Sequence, residues 1–279
     1  MMLSRSCALF VSASLLAGSA ALAQTPAPAA PAAQEPYKPT VGQPGKDVVW
    51  VPTPDEMVEK MLDMAKVTPD DFVIDLGSGD GRNVIAAAKR GAQALGVEYN
   101  EDLVQYSRQN AAKAGVADKA TFVQGDMFEA DISKATVMAL FLLPDNLRKL
   151  RPKLLALRPG TRIVGNTFGI ENWTPDETKT YEDGCTSWCT IMLWIVPAKA
   201  DGAWKTAHGD LTLSQDAQML VGSLGGAAVE GGRLRAEQIT FTVAGEQYSG
   251  TVKGNTIEGV VKGPKGERKW IATRSAATQ

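Results

Sequence analysis

Apolar residues at Met57, Val58, Met61, Leu62 and Ala65 recur three and four positions apart, which gathers them on one face of a helix, with Thr53 as N-cap candidate and Pro54 at the first helical position. The pattern then alternates. A strand over 72 to 76 is followed by a helix over 82 to 90, a strand over 94 to 99, a helix over 101 to 114, and strands over 120 to 124 and 136 to 142. A helix over 145 to 156 and a strand over 161 to 168 complete the series. Such alternation predicts a parallel sheet with helices on both faces, and it places a ligand beyond the carboxyl ends of the strands.

Beyond about Trp204 the segments become short and alternate with period two: Leu211 to Leu213, Met219 to Ser223, Arg233 to Ala236, Ile239 to Val243, Gln247 to Val252, Thr256 to Val261 and Lys269 to Ala272. Turns such as Ala244-Gly245-Glu246 and Lys253-Gly254-Asn255 separate them. This is the pattern of an antiparallel β-meander, compatible with a small sheet or a partial barrel. Either binding a substrate or partner, or covering the first domain, would suit it.

At the other end Arg5 precedes an apolar stretch from Cys7 to Ala17, and Ala21-Leu22-Ala23 before Gln24 has the small-residue form of a cleavage site. The stretch is shorter than the ~20 residues that span a bilayer, so it predicts a secretory signal peptide rather than an anchor. Without a twin-arginine pair, export would proceed in the unfolded state, to the periplasm, leaving no stable membrane insertion after cleavage. The Ala/Pro-rich run that follows reads as a flexible linker. The expected organisation is α/β: signal peptide 1–23, linker 24–46, a Rossmann-like doubly wound domain 47–203, and a small antiparallel β region 204–279.

Composition narrows the partners. The 279 residues are 44% hydrophobic, enough for packed cores, and a formal net charge of −2 provides no electrostatic footprint for nucleic acid or an anionic membrane surface.

The candidate chemistry begins at Val73-Ile74-Asp75-Leu76-Gly77-Ser78-Gly79-Asp80-Gly81-Arg82, an apolar strand that ends in an acidic, glycine-rich turn and opens into a helix. A dinucleotide fingerprint would read G-x-G-x-x-G, whereas here Arg82 stands where the third glycine belongs. Asp75 and Asp80 would both face a bound pyrophosphate, and like charges about 4 Å apart repel by roughly 4 kcal/mol at an effective dielectric near 20. A phosphate-free cofactor with a cationic head fits better, and S-adenosylmethionine, with its sulfonium and ammonium groups, is one. Glu98 follows Asp75 by 23 residues, close to the offset of about 20 at which an acid accepts ribose hydroxyls. At the next strand end, Gly125-Asp126-Met127 supplies a carboxylate for an exocyclic amine and a thioether to cover a ring.

Over roughly residues 48 to 200 the chain resembles the class I, seven-stranded S-adenosylmethionine-dependent methyltransferases. Val51-Pro52-Thr53-Pro54, the loop from Asp75 to Arg82, Gly96-Val97-Glu98-Tyr99-Asn100 and Gly125-Asp126-Met127-Phe128 are similar to bacterial relatives of the mitochondrial protein-lysine methyltransferases. The resemblance implies that Asp75, Gly77 and Gly79 line the methionine end, with Ser78 beside them, that Glu98 holds the ribose, and that Asp126 and Met127 hold the adenine. It also counts Asn100 among the cofactor residues and puts Thr53 at the cofactor carboxylate. Protein lysine is the acceptor it suggests, and a small-molecule acceptor is an alternative.

Methyl transfer needs alignment and exclusion of water more than obligatory catalytic groups, so the sequence says little about the acceptor. Phe141-Leu142-Leu143-Pro144-Asp145 lacks the N/D-P-P-aromatic motif for planar nitrogens, and Asp145 suits the first turn of a helix as well as it suits a general base. Asn166, Phe168 and Trp173 are candidate pocket residues, while the single histidine, His208, lies beyond the predicted cofactor domain. Cys185 and Cys189 supply too few ligands for zinc, but would form a disulfide if 185 to 189 fold as a loop or helical turn. The rival from another class is an exported, non-catalytic binding protein built on the same scaffold.

Overall fold

The computed structural model describes residues 37–182, 185–264 and 266–275. The expected signal peptide and residues 24–36 of the expected linker lie outside them.

The first domain runs α1 (Asp55–Met64), β1 (Phe72–Leu76), α2 (Arg82–Lys89), β2 (Gln93–Glu98), α3 (Glu101–Lys113), β3 (Ala120–Gln124), β4 (Val137–Leu140), α4 (Pro144–Leu155), β5 (Arg162–Asn166), β6 (Glu177–Thr180) and β7 (Thr190–Ile195). Its sheet has the order β3-β2-β1-β4-β5-β7-β6. The first five of these strands are parallel, and β7 enters antiparallel between β5 and β6. One face of the sheet buries Met57, Met61 and Leu62 of α1 with Val84, Ala87 and Val104; the other buries Ile74, Met138, Leu150, Leu154 and Trp194. Burial on both faces is why β1 and β4 read as near-continuous apolar runs.

The strands β8 (Gly202–Thr206), β9 (Gly209–Asp216), β10 (Met219–Leu224), β11 (Ala227–Arg235), β12 (Gln238–Val243), β13 (Glu246–Lys253), β14 (Thr256–Gly263) and β15 (Gly266–Arg274) close into an antiparallel barrel. Its interior is packed: Phe241 stacks on Tyr248 with ring centroids 4.9 Å apart, Trp270 meets both edge-on, and Trp204 is fully buried. An eight-stranded barrel is narrow enough for side chains to fill, and among the described residues this one is filled by an apolar core. It docks on the sheet through Asp176, whose carboxylate accepts from Ile195 N–H at 2.8 Å and Arg233 Nη2 at 3.1 Å, with Arg235 at 3.8 Å.

Four expectations need correction. Residues 37–46 are ordered rather than linker: Tyr37 meets Tyr106 edge-on at 6.1 Å, and Gly42 and Trp50 exchange backbone hydrogen bonds with Trp50 and Gln43, so this strap folds back on the domain. Pro54 is the N-cap rather than the first residue of α1, and no side chain caps it. The sequence pattern omits β6, β7 and β8; of these, β6 (Glu-Thr-Lys-Thr) carries no apolar alternation, whereas β7 (Thr-Ile-Met-Leu-Trp-Ile) is a mostly buried apolar run. The boundary at 203/204 cuts through β8, and the barrel core already includes Ala198 and Ala200.

Asp176→Ala should strand the Ile195 N–H and the Arg233 guanidinium at the barrel junction and lower stability by about 1–3 kcal/mol. Arg233→Met should cost less, since Arg233 is partly exposed. Urea unfolding of the two variants checks the order.

Candidate active site

At the carboxyl ends of the parallel strands lies a cleft with about 840 Å³ of space free of protein atoms, its open mouth included. The lining follows the sheet order. Asp126 and Met127 follow β3, Glu98 and Tyr99 come from the end of β2, and Gly77 follows β1. Phe141 and Leu142 follow β4, Phe168 follows β5, and Trp188 precedes β7. Residues 45–51 of the strap complete the wall.

The glycine loop is held from two sides. Glu98 accepts from the Gly79 N–H at 3.0 Å with one oxygen and from the Asn100 N–H at 2.9 Å with the other, while the Ser107 hydroxyl of α3 lies 2.8 Å from the Gly79 carbonyl. Gly79 sits at φ +55° under the Trp50 indole, and a Cβ there would fall 2.3 Å from Trp50 Nε1. The space for a side chain at Gly79 is therefore taken by the strap.

Of the nine residues expected at the cofactor, Gly77, Glu98, Asp126 and Met127 line the cleft; Thr53, Asp75, Ser78, Gly79 and Asn100 do not. Each of the five has a local reason. Thr53 is buried, and its carbonyl accepts from Arg82 Nη1. Ser78 packs behind the loop against Gly96, and Asn100 spends its side chain capping α3, accepting from Asp102 and Leu103 N–H. Asp75 is buried and accepts from Asn83 Nδ2 at 3.0 Å; burial drives its carboxyl well above the ordinary range, reinforced by the charges of Glu98 and Asp80 and opposed by the Asn83 hydrogen bond. Asp80 turns to Arg82 at 2.6 Å. The repulsion expected from Asp75 and Asp80 therefore does not face the cleft. The acids that do are Asp47, Glu98 and Asp126.

Lys46 was hidden in what reads as linker, yet it pairs with Asp126 and lies 5.0 Å over the Tyr99 ring. The Lys46 hydrogen bond, with the Phe128 N–H, holds the Asp126 carboxyl below its usual value.

The other half of the cleft is aromatic. Phe141 and Phe168 stack with centroids 6.1 Å apart, and Trp188 closes on them at 5.5 and 5.8 Å. Of the three candidates for an acceptor pocket, only Phe168 reaches it: Asn166 is buried, and Trp173 lies in the core with its carbonyl bonded to Trp194 Nε1. Asp145 is exposed, pairs with Arg148 and lies outside the cleft lining; His208 is exposed in the β8–β9 turn of the barrel. Cys185 and Cys189 are bridged, with Trp188 between them. Phe141 and Trp188 carried no functional signal beyond their types, although the two cysteines marked a constrained loop.

The family model described as the ANTKMT methyltransferase domain matches residues 75–177. A protein-lysine N-methyltransferase of Saccharolobus islandicus (strain REY15A) is 45% identical over 152 residues, covering 53% of this chain and 94% of its own length. The chain belongs to the class I S-adenosylmethionine-dependent methyltransferases. A mouse lysine N-methyltransferase named for a subunit of ATP synthase is 39% identical, with 51% of this chain and 58% of its own length aligned, so the chain spans little more than half of that relative. Among solved structures, an RNA methyltransferase from Salinibacter ruber in complex with S-adenosyl-L-homocysteine is 48% identical, covers 53% of this chain and 95% of its own, and superposes with a TM-score of 0.51.

The residues present fit this methyltransferase's cofactor. Val97, Met127 and Leu142 give an apolar slot for a purine, and a Cβ on Gly77 would touch Leu142 and Met127 across it. Asp126 and Glu98 stand at one side, and a carboxylate has lone pairs beyond the two that Glu98 already uses. Three acids against Lys46 favour a cationic guest.

Gly79→Ala combines a positive-φ penalty with displacement of Trp50, each of order 1–3 kcal/mol, and should lower cofactor affinity at least about ten-fold by calorimetry. Asp75 has a raised folded-state value, so the native carboxyl holds its proton where the unfolded one has lost it, and stability falls as pH rises from about 4. Asp75→Asn should therefore stabilise the cofactor-free protein most at neutral pH, with the gain vanishing below about pH 4, as thermal melts across pH will show.

Proposed function

We propose that this methyltransferase transfers methyl groups to lysine side chains of proteins outside the cytosol. The observation that carries the acceptor is the division of the cleft: acids and an apolar slot over β3, β2 and β1, and an aromatic wall over β4, β5 and β7. An aliphatic chain ending in an amine matches that wall, and the Saccharolobus islandicus and mouse relatives are both named as lysine N-methyltransferases. The Salinibacter ruber neighbour is named for RNA. Here the net charge is −2, and Lys46 is the single cation lining the cleft among the described residues, which disfavours a polyanion.

Bound S-adenosylmethionine supplies an electrophilic methyl on a sulfonium. The chain's part is alignment and drying. Leu142, which faces Gly77, is the chain neighbour of Phe141 in the aromatic wall, so the cofactor half and the acceptor half meet at the end of β4. Phe141, Phe168 and Trp188 screen the entering side chain from water, and its nitrogen attacks as the neutral amine once its proton has left. The acids lining the cleft lie over β2, β3 and the strap, away from the aromatic wall, so the released proton leaves through the open mouth beside the exposed Trp188.

Two features support action outside the cytosol: the apolar stretch Cys7 to Ala17 ahead of Ala21-Leu22-Ala23, and the Cys185–Cys189 bridge, since disulfides persist in oxidising compartments. Purified protein incubated with methyl-labelled S-adenosylmethionine and a cell-envelope extract should place label in methyllysine after acid hydrolysis. Label confined to RNA or to low-molecular-mass material would overturn the lysine reading. Cell fractionation should find the chain in the periplasm, and recovery from the cytosol alone would overturn the location.

A further inference from the structure

We infer that Trp188, clamped by the Cys185–Cys189 disulfide, is the residue that selects an alkyl-ammonium acceptor, acting with Phe141 and Phe168 as a three-sided collar. This rests on the lysine reading above and assigns the discrimination within it to one side chain.

Three observations converge on the collar. The first is geometric. Phe141, Phe168 and Trp188 come from the ends of β4 and β5 and the start of β7, three neighbouring strands, and every pair of rings lies within 6.1 Å. Trp188 is tilted or edge-on to the other two rather than stacked with them, and all three line the cleft, so the cluster offers ring surface to a guest there. The quadrupoles of such ring faces attract a cation, and Trp does so best.

The second observation is backbone strain at Trp188 and at the residue before Phe168. Trp188 itself is held at φ +61°, where a bulky L-residue rarely sits. Phe168 follows Thr167, a β-branched residue at φ +64°, in a three-residue turn closed by the Phe168 N–H donating to the Asn166 carbonyl at 2.7 Å. Such conformations persist only where the surroundings enforce them.

The third is what enforces Trp188. The bridge joins Cys185 to Cys189 with Cα atoms 5.8 Å apart, closing a loop of five residues, while Tyr181 N–H bonds to the Cys189 carbonyl and ties the loop to the exit of β6. Trp188 retains 37% of its surface exposed. An apolar ring left in water without a fixation would turn to bury itself; fixed by a covalent loop at the cleft mouth, it remains available to an incoming side chain.

The test uses n-butylammonium as a stand-in for the lysine side chain and 1-pentanol as its neutral counterpart, titrated by NMR into the protein carrying S-adenosylhomocysteine. Wild type should bind the cation in preference to the alcohol. Trp188→Ala should lose roughly three- to thirty-fold in cation affinity, the span of a cation–π contact, and Trp188→Phe should recover most of it. The Cys185→Ser/Cys189→Ser pair, and wild type treated with dithiothreitol, should behave like Trp188→Ala, and combining the alanine with the serine pair should add nothing further. Calorimetric affinity for S-adenosylhomocysteine should stay within about two-fold in each case, which shows that the fold and the cofactor half survive. In methyl transfer to envelope protein, KM for the acceptor should rise in Trp188→Ala more than kcat falls. Equal binding of cation and alcohol by wild type, unchanged cation affinity in Trp188→Ala, or a parallel loss of S-adenosylhomocysteine would overturn the assignment. A wild-type enzyme that leaves lysine unlabelled overturns the underlying reading as well, and does so without any variant being made.

Discussion

The carboxylate of Glu98 is the tie on which the site depends. One oxygen holds the amide of Gly79 on the loop after β1, and the other holds the amide of Asn100 at the start of α3, so two strand ends and a helix N-terminus are fixed to one side chain. Charge-assisted bonds of this kind are about twice as strong as neutral ones, and both are partly shielded from water. With the Gly79 amide anchored, its missing side chain leaves a seat for the Trp50 indole, and the strap can lie across the cleft with Lys46 against Asp126. The wall of the cleft over β2 and β1 is thus built outward from one carboxylate.

Along the sheet edge, position in the strand order becomes chemical character. Acids and an apolar slot occupy the side of β3, β2 and β1, while rings occupy the side of β4, β5 and β7. The antiparallel insertion of β7 is what allows this, because it brings the chain back to the carboxyl edge just before Thr190 and delivers Trp188 there. A continuing parallel crossover would have put a helix start at the same point. The barrel leaves the cleft untouched, being joined to the sheet through Asp176 and the β5–β7 side and filled by its own aromatic core.

The parts of this arrangement that could be read in the residues were those enforced by local periodicity. Strand β1 and the acidic glycine turn stand out because buried parallel strands are apolar throughout and end abruptly, and Glu98, Asp126 and Met127 follow at matching strand ends. What escaped depends on contacts distant in sequence. Lys46 meets Asp126 across 80 residues, and nothing in an Ala/Pro-rich stretch announces it. Asp75 and Asp80 carry the right charge, but Asn83 and Arg82, their near neighbours, divert both from the cleft. Asn100 had a local use that outcompeted a distant one, the capping of α3. Strand β6 has four exposed residues and no pattern, and exists because β7 offers it a partner.

Closure of the barrel bears on how the chain reaches its final form. Seven of its eight pairings join strands that are neighbours in sequence, each through a short turn, and these can assemble with little loss of chain entropy. The eighth is different. It joins β15 to β8 through only three residue pairs, Ala272 with Thr206, Thr273 with Lys205 and Arg274 with Trp204, and it brings together positions more than sixty residues apart. That short seam carries the loop-closure entropy of the whole ring. Arg274 reinforces it by lying 4.1 Å over the Trp204 ring and donating to the Lys199 carbonyl at 2.7 Å, which makes the last turn of the barrel the fastener for a structure whose other joints are local.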